Sequence, residues 1–257
     1  MDYIQVNAEK WDAHVAEGYI WTKPVSGQAI AEARKGSLNV VLTPEKPVPR
    51  DWFPNDLQDK QILLIAGGGG QQGPVLAAAG AEVTVFDNSR AQLAQDEAVA
   101  AQENLSIRTV QGNMQDLTAF ADESFDLVMQ FGGAFVDSVM PVWKEAHRVL
   151  RDGGVLLAGH NSPVEFIFDL ERMENDNALV VRHSLPYSDL TDLPTDEFQR
   201  ITATEGVCFG HTLTDLIQGQ IDAGFVIAGF YEDKGGSVLS AYIDTFFATK
   251  AIKITLT

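Results

Sequence analysis

The chain has 257 residues, of which 45% are apolar and 21% charged, a composition typical of a folded globular protein. Its 18 basic and 36 acidic residues give a formal net charge of −18. A surface this negative repels phosphodiesters and anionic lipids, so we expect neither nucleic acids nor membranes as partners. The single cysteine, Cys208, excludes an intrachain disulfide framework and a multi-cysteine metal site.

The opening segment, MDYIQVNAEKWD, has no basic region followed by an apolar run. No apolar stretch approaches the roughly 18 residues that span a bilayer. The histidines lack the spacing of metal ligands, so no metal is expected. These features predict an untargeted protein of the cytoplasm, and they leave its oligomeric state open.

Residues 1–60 form a first segment that lacks a repeating pattern of strands and helices. Aromatic residues are interleaved with prolines, and a short helix is predicted over 7–17. The run TPEKPVPRDWFP should be irregular because each proline removes a hydrogen-bond donor and restricts the residue before it. We interpret residues 1–60 as an arm or lid that lies across a domain formed by residues 61–257.

From residue 61 to about residue 162, short apolar runs alternate with helical periods, which is typical of a parallel sheet with crossover helices. The predicted helix over 138–150 has one apolar and one polar face, and it should stop at Asp152-Gly153-Gly154. The predicted strands of this region are 61–66, 82–87, 107–112, 125–131 and 154–159.

Residues 163–210 are polar and rich in turns, and we interpret them as an insertion. Thr212 and Asp215 then form a capping box that should open a helix. Two further strands, 224–233 and 239–250, follow without a helix between them, so they should pair antiparallel. The predicted fold is an α/β, Rossmann-like three-layer sandwich whose seven-stranded, mostly parallel sheet has an antiparallel final strand pair.

The most informative motif is ILLIAGGGGQQG, in which a strand runs into four glycines before a helix begins. Glycines permit positive φ and let a ligand approach the backbone, while the N–H groups at a helix start favour polar oxygens. The loop matches the pattern G-x-G-x-x-G. Asp87 ends the next predicted strand, where its carboxylate can accept hydrogen bonds from both hydroxyls of a ribose. This arrangement predicts a nucleotide-like cofactor but does not identify it.

These residues resemble the class I S-adenosylmethionine-dependent methyltransferases over roughly 61–160 and 211–250. FDLVMQFGGAFV is similar to the family's fourth strand and pocket floor, and WKEAHRVLRDGGVLLAG is similar to its helix, Gly-Gly turn and fifth strand. The resemblance implies that S-adenosylmethionine is the cofactor. The positions it assigns to cofactor binding are Ala66, Gly67, Gly68, Gly69, Gly70, Gln71, Asp87, Asn88, Asn113, Met114, Gln130 and Phe131.

Two positions depart from the family pattern. Leu64 stands where the family usually has an acidic residue, and Ala66 stands at the first loop glycine. The amine of the cofactor therefore needs another partner, and Gln71, Gln72, a backbone carbonyl or a water are the candidates.

Two alternatives remain open from the sequence. A nicotinamide-dependent oxidoreductase uses a similar loop, but the only Tyr-x-x-x-Lys pair, Tyr19 and Lys23, lies upstream of the glycines. A non-catalytic protein that binds S-adenosylmethionine is the other alternative, motivated by Leu64 and Ala66.

The resemblance implies in-line methyl transfer to an acceptor, which we expect to be a small, neutral or cationic molecule. His160 follows the fifth strand at its carboxyl end and is the first candidate for a general base, ahead of His14 and His211. Trp11, Tyr19 and Trp21 are predicted to cover the cofactor and form part of the acceptor pocket.

Overall fold

The computed structural model describes residues 1–254, which form nine strands and nine α-helices. In chain order the strands are β1 (Gln61–Ile65), β2 (Glu82–Asp87), β3 (Ile107–Gln111), β4 (Phe125–Gln130), β5 (Leu150–Asn161), β6 (Tyr187–Ser188), β7 (Phe209–Gly210), β8 (Phe225–Asp233) and β9 (Phe246–Lys253). The helices are α1 (Tyr3–Glu17), α2 (Gly27–Ala33), α3 (Gln72–Ala78), α4 (Arg90–Glu103), α5 (Met140–Val149), α6 (Leu170–Asp176), α7 (Asp189–Asp192), α8 (Thr195–Glu205) and α9 (Gly219–Asp222).

Seven strands form one sheet in the order β3-β2-β1-β4-β5-β9-β8. The first five strands of that order are parallel, and β9 is antiparallel to both β5 and β8. The chain order reverses between β1 and β4, and ligands of open α/β sheets bind at such a point, beyond the carboxyl ends of the strands. The predicted seven-stranded fold with its antiparallel final pair is confirmed.

Apolar side chains fill both faces of the sheet, which makes the fold a three-layer sandwich. One core contains Trp143 of α5 and Leu216 of the wide helical turn before α9. The other core contains Ile30 of α2, Leu76 of α3 and Leu93 of α4. The short β6–β7 pair and α6, α7 and α8 all lie within residues 163–210. No helix in residues 1–254 is long and apolar enough to cross a membrane.

Three predicted element boundaries differ from the structure. The helix predicted over 7–17 begins at Tyr3, because the Asp2 carboxylate accepts hydrogen bonds from the first backbone N–H groups of α1. Helix α5 ends at Val149, and the segment with the predicted Asp152-Gly153-Gly154 stop already belongs to β5. The strand predicted over 239–250 begins at Phe246, because residues 238–241 form a 3-10 turn.

Helix α1 is hydrogen-bonded to the loops at the carboxyl ends of the strands. The Asp12 Oδ1 atom accepts from the Ser89 hydroxyl at 2.5 Å, just after β2. The Asn7 amide bonds the backbone N–H and C=O of Val207, next to β7, at 2.7 and 3.0 Å. The helix therefore connects the sheet to the segment 163–210.

Candidate functional site

A cavity of about 850 Å³ lies beyond the carboxyl ends of the parallel strands. Its floor is the glycine loop after β1 together with the ends of β2, β4 and β5, and its walls come from α1 and from residues 163–210. Cavities of this size are typical of cofactor and small-molecule sites.

The glycine loop approaches the cavity with a backbone that leaves no room for side chains. A Cβ atom on Gly67 would lie 2.9 Å from the Cβ of Leu64, and one on Gly68 would lie 2.8 Å from the Cβ of Gln92. Gly69 has a φ of +109°, which L-residues with side chains avoid. The loop thus requires glycine for steric and conformational reasons, as the sequence predicts.

The buried carboxylate of Asp96, a residue that the sequence did not indicate, accepts hydrogen bonds from the glycine loop. The backbone N–H groups of Gly69 and Gly70 donate to Asp96 Oδ2 at 3.0 and 3.1 Å. Burial raises the pKa of Asp96 to about 7, although these hydrogen bonds oppose the rise. Its helical spacing from Leu93 and Val99 could have indicated that Asp96 lies on the buried face of α4.

Asp87 lies at the end of β2 and lines the cavity. Its carboxylate accepts from the backbone N–H groups of Gly68 at 3.0 Å and Ser89 at 2.9 Å. Burial raises its pKa to about 6, while these hydrogen bonds lower it. The side chain is therefore an ionised acceptor at neutral pH, fixed in orientation by the backbone.

Most of the residues predicted to bind the cofactor come together around this cavity. The ones that line it are Ala66, Gly67, Gly68, Gln71, Asp87, Asn88, Asn113, Met114 and Phe131. Gly69, Gly70 and Gln130 are not part of the lining. The two glycines are bonded to Asp96, and the wholly buried Gln130 donates its amide to the Phe131 carbonyl at 2.8 Å. These three residues therefore lie behind the cavity lining and are hydrogen-bonded to other parts of the chain.

Leu64, which stands where the family usually has an acidic residue, is wholly buried in the core. Two glutamines near the glycine loop are therefore candidates for the substitute partner of the cofactor amine. The Gln71 amide nitrogen donates to the carbonyls of Ile20 and Lys23, so this side chain ties the N-terminal segment to the glycine loop. Gln92, which the sequence analysis did not single out, lines the cavity, is 5% exposed and has an Oε1 atom without a hydrogen-bond partner. A buried polar oxygen without a hydrogen-bond partner is uncommon in folded proteins.

The aromatic residues Trp11, Tyr19 and Trp21 all line the cavity. The Trp11 ring packs edge-to-face on Phe135, with ring centroids 5.5 Å apart. The Trp11 and Tyr19 rings are also neighbours, with centroids 6.3 Å apart. Trp21 is 39% exposed, so part of this residue faces solvent.

His160, the predicted general base, contributes to the lining but is only 3% exposed. Its ring packs against Trp143 and Phe247, with centroid distances of 5.6 and 4.7 Å. Burial lowers its pKa to about 3, and His211 adds to the decrease. The imidazole is therefore uncharged at neutral pH and has little affinity for a proton.

Comparison with known proteins places this geometry in a family. A methyltransferase-domain family matches residues 63–158. An uncharacterized methyltransferase of Bacillus subtilis strain 168, YbaJ, is 50% identical over 250 residues, which cover 96% of this chain and 97% of the relative.

Solved structures share the fold at low sequence identity. An S-adenosylmethionine-dependent methyltransferase from Mesorhizobium loti has a TM-score of 0.61 and 17% identity, and the match covers 79% of this chain and 95% of that one. Geranyl diphosphate C-methyltransferase from Streptomyces coelicolor A3(2) has a TM-score of 0.58 and 16% identity, with 99% of both chains covered.

The family match and the 50% identical relative distinguish between the three functions that the glycine loop allows. Both are methyltransferases, which favours S-adenosylmethionine over a nicotinamide cofactor and an enzyme over a non-catalytic binding protein. The glycine loop, the carboxylate of Asp87 and the seven-stranded sheet are consistent with that cofactor. The chain belongs to the class I S-adenosylmethionine-dependent methyltransferases.

Proposed function

We propose that this methyltransferase acts on a small molecule bound in the 850 Å³ cavity. The observation that carries the proposal is the continuity of this cavity, which extends from the glycine loop to walls formed by α1 and residues 163–210. Those walls are hydrogen-bonded to each other through Asn7 and Val207. A site covered in this way suits a small acceptor better than a polymer, and the net charge of −18 disfavours RNA and DNA.

The residues around the cavity fit the cofactor, and we propose how they hold it. Asp87 accepts hydrogen bonds from the ribose hydroxyls, while Asn113 and Met114 contact the adenine. Gly67 and Gly68 let the methionine part approach the backbone. Gln92 Oε1, which is buried and unpaired, is the acceptor we propose in place of the missing acidic residue at position 64.

The bound cofactor supplies an electrophilic methyl group and a leaving group that departs uncharged. The residues of the chain bind the two reactants, orient them and exclude water. We propose that residues 1–60 act as the lid on the domain formed by residues 61–257, and that the insertion 163–210 completes the acceptor pocket. Trp11, Tyr19 and Trp21 form the lid side of this pocket. His160, uncharged at neutral pH, would orient the acceptor by hydrogen bonding.

Transfer of a labelled methyl group tests the acceptor class. The purified enzyme is incubated with methyl-labelled S-adenosylmethionine and a bacterial cell extract, and the products are separated by size. We expect label in the low-molecular-mass fraction, with none in that fraction when Asp87→Ala replaces the native enzyme. Label that appears instead in protein or RNA would contradict a small-molecule acceptor.

A further inference from the structure

Glu165 is a partly buried carboxylate in the wall of the cavity. It belongs to the 3-10 turn Pro163–Ile167, directly after the carboxyl end of β5, and it lines the cavity. Its Oε2 atom accepts a hydrogen bond from the Asn161 amide at 3.2 Å, and the Thr245 hydroxyl also lies within reach of the carboxylate. A single glutamate in a polar segment carries no local signal in the sequence.

Three other carboxylates in the cavity wall are compensated more fully, whereas Glu174, also in the wall, is exposed to solvent. Asp87 accepts from two backbone N–H groups, and Asp189 accepts from a phenol hydroxyl and a backbone N–H. Glu197 forms a two-bond pair with the Arg182 guanidinium. Within residues 1–254, Glu165 has no ion pair with a basic side chain. A partly buried carboxylate without an ion pair favours a cationic or proton-donating group nearby.

The surroundings of Glu165 also suit proton exchange. Burial raises its pKa to about 7, and hydrogen bonding by Asn161 and Thr245 limits the rise. Among the described residues, no neighbouring charge contributes to this rise, and His160, at the end of the preceding strand β5, is itself kept neutral by burial. A group with a pKa close to the working pH is the most effective general base.

We propose that Glu165 is the proton acceptor for the nucleophilic atom of the methyl acceptor, which would carry an N–H, O–H or S–H bond. As the proton moves to a Glu165 carboxylate oxygen, the electron pair of the broken bond to hydrogen forms the new bond to the methyl carbon. The electrons of the cleaved carbon–sulfur bond stay on sulfur, which becomes a neutral thioether, and the proton later passes to water. This inference rests on the proposed methyl transfer within the same cavity.

Binding of sinefungin tests whether Glu165 lies beside the position of the reacting methyl group, and the test does not require the acceptor to be known. In this analogue of S-adenosylmethionine, a carbon that bears an amino group replaces the sulfonium and its methyl group. S-adenosylhomocysteine has no group at that position. Calorimetry at about pH 8.5 compares the affinities of the two compounds while Glu165 is ionised and most of the amine is still protonated.

We expect Glu165→Gln to reduce the ratio of sinefungin affinity to S-adenosylhomocysteine affinity by about tenfold, the order of effect for loss of one partly buried charge pair. The affinity for S-adenosylhomocysteine itself should not change, which also shows that the variant is folded. Glu174→Gln is the matched control, because Glu174 lines the same cavity from α6 and should leave the ratio unchanged.

An unchanged ratio in Glu165→Gln would overturn the assignment, and so would an equal decrease in Glu174→Gln. A carbon-13 NMR titration of the native enzyme provides a readout that needs no variant to fold. Sinefungin should lower the pKa of Glu165 relative to the complex with S-adenosylhomocysteine, since a nearby ammonium favours the carboxylate. Equal pKa values in both complexes would also refute it. If S-adenosylhomocysteine itself fails to bind, the proposed function fails, a result distinct from an unchanged ratio.

Discussion

Asp96 makes the stability of the glycine loop depend on pH. Its side chain is wholly buried, Oδ2 accepts the two loop N–H groups, and Oδ1 has no hydrogen-bond partner. Burial raises its pKa from the usual 3.8 to about 7, and the nearby charge of Asp87 adds to the rise. The folded chain therefore retains a proton that the unfolded chain releases near pH 4.

The sign of the effect follows from this difference in proton binding. Between about pH 4 and pH 7 the folded state binds more protons, so the contribution of Asp96 to the free energy of unfolding decreases as the pH rises. A pKa difference of this size corresponds to at most roughly 4 kcal/mol. In Asp96→Asn the amide oxygen can still accept from the loop but does not titrate, so this part of the pH dependence should disappear.

Urea unfolding of the native chain and of Asp96→Asn at about pH 5 and about pH 8 measures the effect. We expect the stability advantage of Asp96→Asn over the native chain to grow by about 2 to 4 kcal/mol between the lower and the higher pH. Asp152→Asn, at an exposed position, controls for the loss of one negative charge. Parallel pH dependences for the native chain and Asp96→Asn would refute the burial argument.

Three further changes test the loop and the N-terminal segment. Ala66→Gly should raise the free energy of unfolding by about 1 kcal/mol in urea titrations, because Ala66 has a φ of +52°. Gly67→Ala should weaken S-adenosylhomocysteine binding at least about tenfold in calorimetry, because its Cβ would lie 2.9 Å from the Cβ of Leu64, whereas Gly236→Ala meets nothing within 4 Å and should bind normally. Deletion of residues 1–22 should leave a cooperatively melting protein that transfers no label to small molecules; full transfer by the truncated chain would contradict the lid.

The sheet and the glycine loop are predictable because their signals are local. Most of the parallel strands contain a short apolar run bounded by turn residues. The loop glycines follow the end of β1, and Asp87 is the last residue of β2. The predicted ends of an element are wrong where side chains from other parts of the chain determine where it begins or ends. The start of β9 is one example, because the Thr245 hydroxyl accepts from the Gly235 N–H at 2.9 Å and contacts Ser240, which stabilises a turn in place of an extended chain.

The part of the site that the sequence did not reveal depends on tertiary contacts. Asp96 and Gln92 lie on α4 as ordinary polar residues until the fold brings them beneath the glycine loop. Glu165 acquires its perturbed pKa only through burial beside β5. The low pKa of His160 has the same origin, since spacing locates a histidine at the end of a strand but does not show the aromatic rings that enclose it.

Calorimetric titration of the native chain and of Asp87→Ala with S-adenosylhomocysteine tests the central claim, that the glycine loop and this carboxylate hold the adenosyl cofactor. We expect the native chain to bind and Asp87→Ala to lose about 10-fold to 100-fold in affinity, the order expected for loss of a hydrogen bond to a charged group. Asp56→Ala, at an exposed position, should bind as the native chain does. Absence of binding by the native chain, or equal affinity in Asp87→Ala, would contradict the account.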